Sequence, residues 1–287
     1  MTGWRIGVDE LIFFHLTDTH LTGGPDELLF GQADPADGLR AVAAEMRRMD
    51  LQPAFIVISG DLANHGTVAA YKRLRTLLDE EFATFEAPIL LNLGNHDRRS
   101  AFREVFLDEP GVDEATPYYY SRWFGGVRVL MLDSVVPGET FGLLGEEQLA
   151  WLERELATPA PIGEIVVVHH PVVHRGIIRH GEDGLILRDR AELARVLDGR
   201  PVIGILTGHT HVVTAASFAG TTAFTGTATA FLGDPSTRDG GRMLNGAGFN
   251  LCTVRDGTLI VNSIVLPSDQ RVLFTYRSSD VTSARAH

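Results

Sequence analysis

Ile89-Leu90-Leu91-Asn92-Leu93-Gly94-Asn95-His96-Asp97 is a short, largely apolar run that ends abruptly in a glycine, an amide, an imidazole and a carboxylate. The run over 89–93 has the length of a buried strand, and the residues after it punctuate the chain as a turn while carrying lone pairs. The pattern recurs. Further short apolar runs occupy 11–16, 54–58, 127–132, 165–168 and 202–206. Five of the six lead into metal-competent side chains: Asp18-Thr19-His20, Gly60-Asp61, Gly94-Asn95-His96-Asp97, His169-His170-Pro171 and Gly208-His209-Thr210-His211. In open α/β sheets, sites form outside the carboxyl ends of strands. Five strand ends therefore point imidazoles, carboxylates and an amide at one rim.

Between these runs the apolar spacing turns helical. Residues 38–49 place Leu39, Val42, Met46 and Met49 on one face, and 67–82 do so with Tyr71, Leu74 and Leu78. The stretch 146–156 aligns Leu149, Leu152 and Leu156, and 189–197 aligns Leu193 and Val196. Strands alternating with helices predict an α/β fold. Past about Gly208 the pattern changes. Residues 212–231 are rich in Thr, Val, Ala and Phe, and 249–266 predicts two strands around the turn Asp256-Gly257. The glycine-rich stretch 233–248 between them is expected to be a functional or mobile loop. With no internal repeat and no linker, the chain is expected to be a single domain over 1–287, with its core at about 11–267 and a polar tail at about 278–287.

Composition narrows the function. The chain of 287 residues needs no staple to fold, since a chain of this size buries roughly 75% of its unfolded surface. A single cysteine, Cys252, excludes an internal disulfide framework and a multi-cysteine zinc cage. The balance of 25 Lys and Arg against 37 Asp and Glu, net −12 and without like-charge blocks, argues against a nucleic-acid polymer as partner. It leaves room for a small anionic substrate, because a bound metal pair reverses the local sign. No stretch approaches the roughly 18 apolar residues of a membrane span. The first apolar run follows Asp9-Glu10, where a signal peptide would carry cations, so a cytoplasmic location is expected.

Eleven histidines are the compositional oddity. Asp18 and His20 are two apart, as are His209 and His211, so in extended backbone each pair faces one way and can grip one ion. Gly60, Gly94 and Gly208 permit sharp turns and close backbone approach. Imidazole and oxygen donors without thiolate suit manganese, iron or zinc. Seven such side chains exceed what one tetrahedral ion uses, so two ions are expected. A lone strand-end histidine or Gly-Asp turn is ordinarily structural; five in a fixed order are not explained that way.

The order and spelling resemble the calcineurin-like metallophosphoesterases, whose pattern is D-x-H, G-D, G-N-H-D/E, H and G-H-x-H. The resemblance runs from about Phe13 to Pro267. Within that family the chain is most similar to the bacterial class III cyclic-nucleotide phosphodiesterases, through SGDLA at 59–63, GNHDRR at 94–99, EQLAWLEREL at 147–156, HHPV at 169–172 and GFNL at 248–251. The resemblance implies two mixed β-sheets sandwiched between helices, and a hydrolase cleaving 3′,5′-cyclic nucleotides or a related small phosphodiester with a hydroxide shared by two metal ions. It is compatible with a homodimer.

By resemblance, one ion is held by Asp18, His20 and His211, the other by Asn95, His169 and His209, with Asp61 between them. The chemistry favours this division, because a carboxylate has two oxygens to share and an imidazole one lone pair. His169 and His170 compete for one role, and the family's ligand-x-Pro spelling selects His169. His96 is expected to protonate the leaving oxygen or bind a phosphoryl oxygen, with Asp97 orienting it or another imidazole. Asn95, His96 and Asn64 are expected to meet the substrate. His15 is expected in the core, His65 at the crevice, and His174 and His180 in a loop. Arg98 and Arg99 are weighed as anion binders against a place on a helix surface.

Three alternatives remain. A glycerophosphodiester phosphodiesterase carries nearly the same motifs. A phosphoprotein phosphatase is disfavoured, since Leu62-Ala63-Asn64-His65-Gly66 stands where such enzymes have Asp-Arg-Gly, and Asp97 where they have Glu. A metal-free interaction scaffold would have lost ligands, and none is missing.

Overall fold

The computed structural model describes residues 10–174, 185–237 and 240–277. In chain order they form β1 (Glu10–Leu16), α1 (Pro35–Arg48), β2 (Ile56–Ser59), α2 (Val68–Glu81), β3 (Ile89–Asn92), the short α3 (Arg99–Phe102), β4 (Tyr120–Phe124), β5 (Val127–Leu132), α4 (Gly145–Leu156), β6 (Gly163–Val168), α5 (Arg190–Leu197) and β7 (Val202–Thr207). Strands β8 (Thr214–Phe218), β9 (Thr221–Thr225), β10 (Leu232–Gly233), β11 (Gly241–Leu244), β12 (Gly248–Arg255), β13 (Thr258–Val265) and β14 (Val272–Tyr276) follow. All six apolar runs became strands.

Two mixed sheets carry the architecture. One has the order β13-β12-β1-β2-β3, and the other β4-β5-β6-β7-β9-β8. In the first, β1, β2 and β3 are parallel and the β12–β13 hairpin joins antiparallel to β1. In the second, β5, β6, β7 and β9 are parallel.

The period of two within each strand decides which layer a side chain enters. Phe14, Leu16, Ile56 and Ile58 pack outward beneath α1 and α2, with Leu39, Val42, Tyr71 and Leu74. Their neighbours Phe13, Phe55 and Val57 turn the other way, onto Val129, Met131, Ile165 and Val167 of the second sheet. That sheet's Leu130, Leu132, Val166 and Val168 meet Leu149, Leu152, Leu193 and Leu197 from α4 and α5. Three cores between four layers make an αββα sandwich. The strands buried on both faces are the reason those runs are continuous rather than alternating.

Two details differ from the sequence expectation. Helix α1 starts at Pro35, not Gly38, because the Asp34 carboxylate accepts from the Ala36 N–H at 3.0 Å and Pro35 has no N–H to lose. The stretch 233–248 is not wholly loop. Within it β11 pairs antiparallel with both β10 and β14, in a third, three-stranded sheet. Neither strand is apparent locally, since each is defined by a distant partner. His180 and the tail from Ser278 lie outside the described residues.

Candidate metal centre

The residues that end β1, β2, β3, β6 and β7 meet where the carboxyl ends of the two sheets converge. Main-chain bonds pin the rim: His209 N–H donates to both Asp18 carboxylate oxygens, at 3.1 and 3.0 Å, and Gly208 N–H to the His169 carbonyl at 2.9 Å. The first of these ties one sheet to the other.

The local backbone is unusual. Asp18, His20, Asp61, His209 and His211 all have positive φ, between 44° and 70°. Left-handed conformations are uncommon for residues with a Cβ, and five of the seven expected ligands adopt one. Such strain collects where the surroundings hold a functional geometry in place. Close approach explains Gly94, where a Cβ would come within 2.6 Å of His169 Nε2 and also strike the Asp61 carboxylate.

Three groups of donors result. Asp18, His20 and His211 form one, Asp61, His169 and His209 another, and the exposed His96 makes a third with His20 and Asp61, which belong to the first two. Asp18 Oδ1 lies 3.3 Å from His211 Nε2 and 3.9 Å from His20 Nε2. Asp61 Oδ2 lies 3.3 Å from His169 Nε2 and 3.6 Å from His20 Nε2, so a single oxygen stands between the groups. Every residue here is largely or wholly buried apart from His209 and Asn95, which are half-buried.

The tautomers follow from the other ring nitrogens. His169 Nδ1 donates to the Ser59 carbonyl at 2.9 Å, His211 Nδ1 to the Phe231 carbonyl at 2.9 Å, and His20 Nδ1 to Asn64 Oδ1 at 3.2 Å. All three therefore turn Nε2 inward. Nε2 of His20 and Nε2 of His211 are only 3.2 Å apart. A proton on His211, which the Asp18 carboxylate favours, or a metal cation between the two nitrogens joins the rings. Buried polar atoms are almost always hydrogen-bonded, yet among the described residues Asn95 Oδ1, His169 Nε2, both nitrogens of His209 and Nε2 of the neighbouring His170 have no hydrogen-bond partner. All of these but His170 are the side chains expected to hold the second ion. A buried donor set of imidazoles, carboxylates and one amide fits two transition-metal ions.

Electrostatics agree. Burial pushes the His20 and His209 imidazoles down to about 3, which keeps both neutral and able to donate a lone pair. His169 is also penalised by burial, but the Asp61 carboxylate outweighs that and raises it to about 9. Burial would raise Asp18, and the His211 imidazole beside it more than offsets this, leaving it below the usual carboxylate range. Each carboxylate thus attracts positive charge to the point where an ion would sit.

His96 is exposed at the rim, its ring edge-on to His20 with centroids 4.7 Å apart. Its Nδ1 donates to the Asn64 carbonyl at 2.8 Å, and its N–H donates to Asp61 Oδ1 at 2.9 Å. His170 packs its ring 4.8 Å from that of His209 between centroids, but its Nδ1 meets the Ser134 hydroxyl at 2.7 Å, and His169 is the one within reach of Asp61. Asp97 requires a correction. It does not orient an imidazole; its carboxylate accepts from the N–H groups of Gly94, Leu62 and Ala63 and from the Tyr71 hydroxyl at 2.8–3.0 Å. Adjacent side chains on the turn point apart, and Asp97 ties two motif loops together behind the site.

Asn64 holds the ring of His20 through its side chain and that of His96 through its carbonyl, a double positioning the sequence did not reveal. Asn64 and His65 both line the crevice. His15 is a core histidine, bonded to Ser59 Oγ at 2.8 Å and to Asn250 Nδ2 at 3.0 Å. Arg99 is buried against Asp133 and cannot greet a substrate, whereas Arg98 lines the crevice. His174 is exposed, with Arg190 3.5 Å away.

Residues 11–213 match the model of the calcineurin-like phosphoesterase family. The chain is 37% identical over 265 residues to the cAMP/cGMP dual specificity phosphodiesterase MT0825 of Mycobacterium tuberculosis, covering 92% of this chain and 82% of that one. It is 33% identical over 197 residues to the 3′,5′-cyclic adenosine monophosphate phosphodiesterase CpdA of Escherichia coli K12, covering 68% of each. Among solved structures, a dimetal phosphatase from Danio rerio superposes with a TM-score of 0.60 at 14% identity, covering 88% of this chain and 98% of that one. This last likeness concerns the fold alone.

Proposed function

The chain belongs to the calcineurin-like phosphoesterase family, and from that premise we propose that it is a metal-dependent phosphodiesterase hydrolysing 3′,5′-cyclic nucleotides. One observation carries the reading: Asp61 Oδ2 stands between His20 Nε2 and His169 Nε2, so a shared carboxylate joins two imidazole-rich donor groups. Asp18, His20 and His211 would hold one ion, Asn95, His169 and His209 the other, and Asp61 both. Two such ions supply Lewis acidity at the phosphoryl oxygens and water acidified toward a pKa of ~7. Manganese or iron suits the oxygen and imidazole set.

The chain's own residues supply the rest. The Nδ1 contacts to Ser59, Phe231 and Asn64 keep three Nε2 atoms aimed inward, where a metal would displace any proton on them. His96 lines the crevice, with its Nδ1 held by the Asn64 carbonyl. A proton on its Nε2 passes to the departing ribose oxygen. Asp97 holds the loops of Asp61 and Asn95 in register through three main-chain N–H groups.

A diester rather than a nucleic-acid polymer agrees with the net charge of −12. The relatives named as cyclic nucleotide phosphodiesterases point the same way. Among the described residues no helix is long and apolar enough to cross a membrane. The single cysteine is buried, which suits a reducing compartment such as the cytoplasm.

The test is a screen of cyclic AMP, cyclic GMP, 2′,3′-cyclic nucleotides and glycerophosphodiesters by the manganese-loaded protein, with metal content measured on the same sample. Preferential cleavage of the 3′,5′-cyclic nucleotides is the expected result. Preference for a glycerophosphodiester would assign the alternative, and no hydrolysis by protein carrying two ions would remove the enzymatic reading.

A further inference from the structure

The cavity above the donor groups has a volume of about 450 Å³, and the side chains of one wall are apolar or aromatic. That wall is Leu28, Phe30, Phe231, Met243, Phe274 and Tyr276. They come from the segment before α1, the segment after β9, and strands β11 and β14. The rings form a continuous path away from the candidate ligands. Phe231 stacks on His211 at 4.1 Å between centroids, Phe30 meets Phe231 edge-on at 5.1 Å, and Phe30 lies parallel to Phe274 at 5.2 Å and 9°.

Phe30 and Phe274 are nonetheless 38% and 46% exposed. Exposed rings grouped beside a polar cluster mark a place where something apolar binds. They are not stray surface residues. Leu29, Ala230, Phe231 and Leu273 form a small core of their own beneath them, so the third sheet holds the rings in place. Thr210, on the same cavity, has a buried hydroxyl with no hydrogen-bond partner. No charged side chain stands among these wall residues, so the wall suits a neutral apolar or aromatic group.

Building on the phosphodiesterase reading, we propose that Phe30 and Phe274 are a stacking platform for the nucleobase of the cyclic nucleotide. A glycerol diester has no ring to offer this wall, which is how the site would separate the two substrate classes. Because every base has a π-face, stacking discriminates little among bases. Adenine and guanine substrates should therefore differ by less than about tenfold.

The probe is 2-aminopurine riboside monophosphate, whose fluorescence is quenched on stacking, titrated into the manganese-loaded protein. In parallel, kcat/KM is measured for cyclic AMP and for a base-free ribose cyclic phosphate in the parent, Phe30→Ala, Phe274→Ala and Phe274→Trp. Quenching in the parent is expected. The preference for cyclic AMP over the base-free diester should fall about 5- to 150-fold in each alanine variant, mainly through KM, and recover in Phe274→Trp. An equal loss on both substrates, or a parent with no preference for the base, overturns the platform. If no diester is cleaved but quenching persists and Phe274→Ala abolishes it, the platform stands and the hydrolytic reading falls. Absence of quenching overturns the platform, including the case in which the wall is covered between two copies.

Discussion

Nε2 of His20 faces Nε2 of His211 at 3.2 Å, and each ring has already committed its Nδ1–H, to Asn64 and to the Phe231 carbonyl. Burial holds His20 neutral, so its lone pair stays directed at its neighbour. A metal cation between the two nitrogens would take up both lone pairs, and Asp18 Oδ1 lies 3.3 Å from His211 Nε2 to help hold it.

Metal should therefore stabilise the fold as well as activate it. An ion that binds only the native state contributes about 2.7 kcal/mol at a hundredfold excess over its Kd. At a few degrees per kcal/mol for a domain of this size, manganese should raise the Tm of chelator-treated protein by at least about 5 °C. Differential scanning fluorimetry with elemental analysis checks this. An unchanged Tm, or one ion per chain, would contradict two preformed donor groups.

Asp61→Asn should lose both ions together. The carboxylate oxygen lies 3.3 Å from His169 Nε2 and 3.6 Å from His20 Nε2, and an amide brings no charge to either side. We expect kcat to fall by more than about 10²-fold, in line with removing one electrostatic stabiliser from an active site. A variant that keeps two ions at parental affinity would show that Asp61 does not join the two groups.

Tyr71→Phe should separate support from chemistry. Its hydroxyl donates to Asp97 Oδ1 at 2.8 Å, deep behind the site. The hydroxyl also accepts from the Arg98 N–H at 3.0 Å, so the variant loses two hydrogen bonds; the one to the charged acceptor alone costs about 1.5–3 kcal/mol, readable in urea unfolding, with kcat near the parental value. Asp97→Ala should cost more, since the N–H groups of Leu62, Ala63 and Gly94 lose their acceptor together. A collapse of activity in stable Tyr71→Phe protein would mean that Asp97 acts on the reaction itself.

These roles mark where sequence reasoning runs out. The apolar runs were legible because strands buried on both faces are continuous, and 127–132 coincides with β5 residue for residue. The donor groups were legible because a strand end and a glycine turn leave local signatures. Asp97 was misread because its partners, Leu62 and Ala63, lie some 35 residues away. The positioning of His20 by Asn64 spans 44 residues and has no local signature either. Strands β11 and β14 and the rings of Phe30 and Phe274 are likewise brought together only by tertiary pairing.

Arg98 and Arg99 are neighbours in sequence and opposites in environment. Arg99 is buried and donates to both oxygens of Asp133, at 2.7 and 3.0 Å, and to the carbonyls of Val135 and Glu114. Arg99→Ala should cost about 3–5 kcal/mol, because it strands a buried carboxylate. Arg98→Ala, at an exposed position, should stay within about 0.5 kcal/mol. Chemical denaturation of both variants decides it, and equal costs would contradict the buried pair.

The last prediction concerns His96, whose Nδ1 is held at 2.8 Å by the Asn64 carbonyl while its ring stands at the rim beside His20. It belongs to a third cluster with His20 and Asp61, so it is near enough to the candidate ligands to be mistaken for one. As a proton donor, its importance should depend on how much help the leaving oxygen needs. A ribose alkoxide is a poor leaving group, so His96→Ala should slow cyclic-nucleotide hydrolysis by about 10²–10⁴-fold. A nitrophenolate departs without a proton, so a nitrophenyl diester should suffer far less. Both ions should remain, which elemental analysis of the same preparation establishes. Equal losses on the two substrates would move His96 to binding a phosphoryl oxygen in the transition state. Loss of an ion would make it a ligand, and the third cluster a true coordination sphere.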